Sequence, residues 1–391
     1  MHAKNGRMQP APPSPRARDL GLPFDGRPGP VNAITDVSGV EVGHVTLISG
    51  DGPLRRGEGP VRTGVTAVLP RGKAALDAPC AAGTAVLNGN GELTGRAWID
   101  ESGLLETPII TTSSHAVGAC HSGMDSWLAD HAPRLANRWM LPVVGETWDG
   151  YLHDINGGHV RPEHARRALD VAVGGRVGEG NVGGGTGMNC YGFKGGIGTA
   201  SRVVDVLGAP RTVGVLLQAN FGARHELRLR GMDLGRGSAA PCPMAAEPWL
   251  DADDARVAAA PGAGSVIAVV ATDAPLLPSQ CAALARRVPL GLARTGTTGG
   301  HFSGDIFLAF STADADGLRS SMGETRPVTT IAATPWGAID PLYAAVVEAT
   351  EEAVMNALVA ARDMVGRDGH ASFALPHDEI RAAVAAARPA D

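Results

Sequence analysis

Short apolar runs bounded by glycine and proline recur along the chain. They predict strands over 40–48, 65–69, 84–87, 108–113, 142–147, 212–218, 265–272, 305–312 and 328–334. Several, such as SVIAVVAT at 265–272, are apolar without alternation, as expected of strands covered on both faces. Between them, helical spacing predicts helices over 123–139, 161–173 and 277–287, the second with Pro162 just inside its start. The longest predicted helix runs over 341–365, with Asp340 as N-cap, Pro341 in the first position and Gly366 as the stop. A final alanine-rich helix is expected over 378–388. This pattern alone supports an α/β or α+β chain and shows no internal repeat.

Two stretches fall outside the pattern. Residues 1–33, rich in Pro, Gly and Arg with no apolar signal core, read as a flexible N-terminal arm; residues 34–391 then form a single catalytic domain. Residues 231–264 carry Pro, Gly, Ala and acidic residues without a clear period and read as a long exposed loop. It ends abruptly at Ser265, where a buried strand begins.

Composition narrows the function classes. A net charge of −6, from 34 basic and 40 acidic side chains, argues against a sequence-independent grip on nucleic acid. No apolar run approaches the roughly 18 residues of a membrane span. Five cysteines, the nearest pair 39 residues apart, fit neither a disulfide framework nor a thiolate zinc site, and a reducing cytoplasm is expected. Glycine, at 53 of 391 residues, is about twice as common as usual and clusters between apolar runs.

Several motif matches carry little. Residues 178–183 fit G-x-G-x-x-G, yet GGTGMNCYGFKGG follows in place of the helix whose N-terminus would hold a pyrophosphate. No P-loop, H-E-x-x-H, C-x-x-C or G-x-S-x-G occurs. His153, His159 and His164 cluster in sequence, but His159 and His164 are five apart, off one helical face, and read as surface or loop histidines.

Six ordered segments carry a more specific signal: PVVGETWDG at 142–150, INGGHVRPEH at 155–164, EGNVGGGTGMNCYGFKGGIGTASR at 179–202, VGVLLQANFGAR at 213–224, GSVIAVVATDAPL at 264–276 and GTTGGHFSGDIFLAFST at 296–312. Together they resemble the self-processing L-aminopeptidase/D-esterase and β-peptidyl aminopeptidase family over about residues 34–365. The resemblance implies an α+β fold, a four-layer αββα sandwich. It also implies self-cleavage between Gly264 and Ser265, giving an α chain (1–264) and a β chain (265–391). Gly264 has no Cβ to block attack, and the Ser265 amine freed by cleavage, with a reference pKa of about 7.7–8.0, can take the hydroxyl proton itself.

The other roles follow from the same resemblance. Ser303 and Asp305 stand where the family has the serine and acid that orient the nucleophile and its amine; some relatives carry Glu at the Asp305 position. Asn220 matches an oxyanion-stabilising asparagine. Glu146 matches the carboxylate that pairs with the substrate ammonium. Trp148 replaces a tyrosine of some relatives and suggests a pocket favouring apolar side chains. The GGGTGM cluster at 183–188 either brings backbone to the site or packs as a simple loop. The implied protein is a serine aminopeptidase for short peptides, amides or esters with a free amine, with no cofactor, metal or nucleic-acid partner, no membrane, and homo-oligomeric assembly of cleaved protomers. The choice among L-, D- and β-amino-terminal substrates stays open. Two alternatives are an ornithine-acetyltransferase-like enzyme, which uses threonine and is disfavoured by Ser265 and Glu146, and a non-catalytic, uncut binding or scaffold protein.

Overall fold

The computed structural model describes residues 15–246, 264–319, 324–326 and 328–387. The first sheet contains β1 (Glu41–Ser49), β2 (Val61–Leu69), β5 (Ile109–Ser113) and β6 (Val143–Thr147), in the order β1-β2-β5-β6. The second contains β3 (Cys80–Gly89), β4 (Leu104–Leu105), β7 (Gly196–Val206), β8 (Ala209–Asn220), β9 (Gly264–Thr272) and β10 (Ser303–Ser311), in the order β4-β3-β10-β9-β8-β7. Neighbours are antiparallel except β5/β6 and β9/β10. Each parallel pair needs a crossover long enough to carry a helix. The first is α1 (Val117–His131); the second holds α3 (Pro278–Ala285) and α4 (Val288–Arg294).

The layers follow from strand alternation. Along β9, Ile267, Val269 and Ala271 face the first sheet, where Val68, Ile109 and Val143 meet them. Val266, Ala268 and Val270 face the other way, into a core shared with α3, α4 and α5 (Asp340–Ala360). The outer face of the first sheet is covered by α1 and α2 (Pro162–Asp170), through Met124, Trp127, Ala165 and Leu169. Each fully buried Val or Leu contributes about 1.5–3 kcal/mol, so β9, buried along eight of its nine residues, is pinned from both sides. The chain is an αββα sandwich.

Several expectations differ from the structure. Residues 15–33, expected within a flexible arm, are packed: Ala17, Leu20 and Leu22 are buried, and Arg18 pairs with Glu352 at 2.8 Å. Burial pushes the Glu352 carboxyl up, but Arg18 and Arg202 outweigh it and hold the group below its ordinary range. The strand expected over 328–334 is unpaired, and Val328 is 83% exposed. The long helix stops at Ala360, and Asp340 lies inside it instead of capping it. The loop expected over 231–264 holds a short pairing of Met232–Asp233 with Arg228–Leu229 and a helical turn, Pro243–Ala246; residues 247–263 lie outside the described residues. Strand β7 was not predicted at all.

Candidate active site

The ends of three neighbouring strands converge. Asn220 closes β8, Gly264 opens β9 with Ser265 directly after it, and Ser303 opens β10. Register makes Asn220 the antiparallel partner of Ser265, and pairs Gly264 with Ser303 and Ser265 with Gly304 across the parallel junction. The sequence-predicted residues thus meet in space although 85 positions separate Asn220 from Asp305.

Ser265 is 4% exposed, and its hydroxyl donates to the Gly264 carbonyl oxygen at 2.7 Å. The Ser265 hydroxyl therefore rests against the carbonyl that precedes it. The Asn220 side chain is fixed at both ends: its Oδ1 accepts from the Asn189 N–H at 2.8 Å, and its Nδ2 donates to the Trp148 carbonyl at 2.9 Å. An amide nitrogen has two hydrogens, so one remains for a further acceptor.

Ser303 donates to Asp305 Oδ1 at 2.5 Å, and Asn88 Nδ2 donates to Asp305 Oδ2 at 2.9 Å. The shorter acid therefore reaches Ser303. Burial raises the Asp305 carboxyl above its ordinary range, and hydrogen bonds from Ser303, Asn88 and the Val266 backbone oppose that rise without cancelling it. This Ser303–Asp305 pair is separate from the Ser265 hydroxyl bond and lies along the backbone of Gly264–Val266.

Glu146 comes from the other sheet, at the end of β6. It is 6% exposed; its Oε1 accepts from the Glu92 N–H at 2.9 Å and its Oε2 from the Ser114 hydroxyl. A Cβ built on Gly91 would lie 3.0 Å from Gly304 Cα and 3.2 Å from Glu146 Oε1, which puts this carboxylate beside the β-partner of Ser265. Burial raises its pKa, aided by the neighbouring charges of Glu92 and Asp149, against the two hydrogen bonds. An open cleft lined by Gly91, Glu92, Leu93, Thr94, Arg96 and Ile306 adjoins it. Trp148 is half-buried, with its ring over Gly150.

The cluster at 183–188 does both: its glycines pack tightly, and the peptide that follows Met188 reaches Asn220 through the Asn189 N–H at 2.8 Å. A Cβ on Gly184 would fall 2.0 Å from Gln218 Oε1, and one on Gly187 would fall 2.3 Å from the Arg62 carbonyl oxygen. Only glycine fits at these two positions, wedged against both sheets. His153 lies in a loop, as expected, but is buried: it is 3% exposed and accepts from the Arg62 N–H at 3.2 Å, while His159 contacts Asp154 at 2.8 Å. Burial lowers the His153 pKa. Sequence reasoning passed over Asn88, Ser114 and Lys194, none of which carries a local signal beyond a polar residue near glycines.

Comparison with known proteins decides the family. Residues 32–372 match the model of Peptidase family S58. The chain belongs to that family. Among its S58 relatives is beta-peptidyl aminopeptidase BapA of Sphingosinicella microcystinivorans, 50% identical over 94% of this chain and 91% of that protein. BapA of Sphingosinicella xenopeptidilytica is 47% identical over 94% and 90%. Among solved structures, the L-aminopeptidase D-Ala-esterase/amidase of Ochrobactrum anthropi, described as a prototype serine aminopeptidase with a variant Ntn-hydrolase fold, superposes with a TM-score of 0.86. It is 42% identical and covers 95% of this chain and 98% of its own. The S58 assignment favours neither the acetyltransferase nor the scaffold alternative. Among the described residues no helix is long and apolar enough to cross a membrane.

Proposed function

We propose that this S58 chain is a serine aminopeptidase that cuts itself between Gly264 and Ser265 and then removes N-terminal residues from short peptides, amides and esters with a free amine. The observation that carries the reading is the Ser265 hydroxyl lying 2.7 Å from the Gly264 carbonyl oxygen, with the Asn220 amide on the partnering strand.

In self-cleavage, Ser265 Oγ attacks the Gly264 carbonyl carbon, the Gly264–Ser265 C–N bond breaks, and the acyl group passes from nitrogen to oxygen. Water then hydrolyses the ester, leaving a Gly264 carboxylate and a free Ser265 amine. In turnover, that amine takes the Oγ proton as Oγ attacks the substrate carbonyl, and returns it to the leaving amine; water, deprotonated by the same amine, then hydrolyses the acyl ester, releasing the N-terminal residue and regenerating the Ser265 hydroxyl. With a reference pKa of about 7.7–8.0, an appreciable fraction of the amine is neutral near pH 7. The free Asn220 Nδ2 hydrogen serves the developing oxyanion. Ser303 and Asp305, alongside the Ser265 backbone, orient the amine. Glu146 receives the substrate ammonium, and Trp148 lines the side-chain pocket.

The two BapA relatives favour β-amino-terminal peptides as the substrate class. Five free cysteines, four of them buried, suit a reducing cytoplasm, and the resemblance favours a homo-oligomer of cleaved protomers. The test compares β-alanyl, L-alanyl and D-alanyl p-nitroanilides with their N-acetyl forms. Turnover of the free-amine compounds alone, fastest for β-alanyl, is expected. Equal cleavage of acetylated and free substrates would remove the ammonium anchor, and no turnover of any would remove the aminopeptidase reading.

A further inference from the structure

Lys194 is fully buried, and nothing in the proposed mechanism uses it. It ends a two-residue hairpin, Asn189–Cys190 against Phe193–Lys194, whose turn residues Tyr191 and Gly192 both have positive φ (55° and 66°). That is the type I′ geometry of tight hairpins. Its ammonium donates to three backbone carbonyls: Met188 at 2.5 Å, Gly195 at 2.9 Å and Gly185 at 3.4 Å. Three acceptors match the three hydrogens of an ammonium; a neutral amine would turn a lone pair toward one of them.

The Met188 carbonyl and the Asn189 N–H belong to one peptide group. Lys194 holds the oxygen end of that group; its N–H end donates to Asn220 Oδ1 at 2.8 Å. A cation on the carbonyl draws electron density along the peptide and makes the N–H a stronger donor, and chains of hydrogen bonds polarise one another in this way. The Asn220 amide is polarised in turn, which strengthens its Nδ2 hydrogens as donors. The Gly195 N–H also donates to the Met188 oxygen, at 2.8 Å, so the peptide is clamped as well as polarised.

We propose that Lys194 is a positioning residue for the oxyanion donor: its buried ammonium orients and polarises the Met188–Asn189 peptide that holds Asn220. The inference rests on the reading of Asn220 as the oxyanion donor. Charged and titratable groups around Lys194 are Asp149, which is bound by the Thr63 and Ser113 hydroxyls, and Cys190. Burial lowers the Lys194 pKa to about 7, and Asp149 and Cys190 oppose this. The carbonyl cage also favours the charged form.

The experiment is a double-mutant cycle between Lys194→Gln and Asn220→Ala, read as kcat and KM on a β-alanyl p-nitroanilide with processed protein. Lys194→Gln keeps donors without charge, and Lys194→Met, which removes both, is the second variant. A variant that folds but stays uncut is compared by its self-cleavage rate in place of kcat. We expect Lys194→Gln to lower kcat by roughly 10- to 100-fold with KM little changed, as for a slightly misplaced or weakened transition-state group. In the Asn220→Ala background it should cost nothing further. An unchanged kcat, or an equal loss in both backgrounds, overturns the proposal. So does failure of both variants to fold, which would make Lys194 a structural residue. If Asn220→Ala itself keeps its kcat, the oxyanion reading has failed and the proposal with it; if only Lys194→Gln is silent, the oxyanion reading stands.

Discussion

A side chain at position 264 would collide with Asn220: a Cβ built on Gly264 would lie 2.0 Å from the Asn220 carbonyl oxygen. The need for glycine here is one of close approach between two strand backbones. The strand that carries Asn220 thus dictates the residue before Ser265.

Gly264→Ala should therefore push β8 and β9 apart at the point where Ser265 must reach its carbonyl. Overpacking of this kind costs about 1–3 kcal/mol. An SDS gel should show uncut protein, where the parent shows chains of about 27 and 13 kDa from a 40.0 kDa precursor, shared by residue number. Ser265→Ala should also stay uncut, but with an undiminished melting temperature. N-terminal sequencing of the smaller parent chain should read Ser-Val-Ile-Ala-Val; any other start moves the cleavage site.

Glu146→Gln should lower activity and raise stability. Because burial raises the Glu146 pKa, the stability it contributes is complete at low pH and is lost as pH rises through the raised value. Glutamine removes that loss. The melting temperature should rise at pH 7.5 and hardly move at pH 4, while kcat/KM falls by roughly 30- to 4000-fold through loss of about 2–5 kcal/mol of charge pairing. A variant less stable than the parent at pH 7.5 would mean the carboxylate is already compensated in the free enzyme.

On the acid side of the rate profile, below the fall set by protonation of the Ser265 amine with its reference pKa of about 7.7–8.0, Asp305 should set a second limb. Its carboxyl titrates above the ordinary range, so activity should fall with decreasing pH earlier than for an exposed aspartate of pKa about 3.9. Asp305→Asn should lower kcat by roughly 100-fold and remove that limb. Ser303→Ala should shift the limb to higher pH, since the Ser303 hydrogen bond holds the carboxyl down. A limb moving the other way would show that Ser303 does not donate to Asp305 in the working enzyme.

The central strands were legible because their runs are simply apolar: β9, as SVIAVVAT, needed only to be buried on both faces. The β7 segment GIGTASRVVDV was not, since its glycines and Arg202 interrupt the apolar run. In the structure Gly198 lies under α5, where a Cβ would come within 2.0 Å of the Ala353 carbonyl oxygen, and Arg202 is neutralised by Glu352 at 2.8 Å. Both compensations come from a helix some 150 residues away, which no local window contains. The candidate site residues came from family resemblance, and strand register brings Asn220, Ser265, Ser303 and Asp305 to one place. The supports of the site were not legible: Asn88, Ser114 and Lys194 matter only through partners that the fold supplies.

The two strands that follow the Gly264–Ser265 bond, β9 and β10, sit between β8 on one side and β3 on the other. A cut at that bond would leave the shorter polypeptide bonded along both flanks to the longer, so the pieces would not drift apart. Reassembly after melting is another matter. The precursor folds as one molecule, whereas its products would have to find each other at a rate set by concentration. Maturation would then turn a reversible fold into a one-way product, whose durability lies in how slowly it opens.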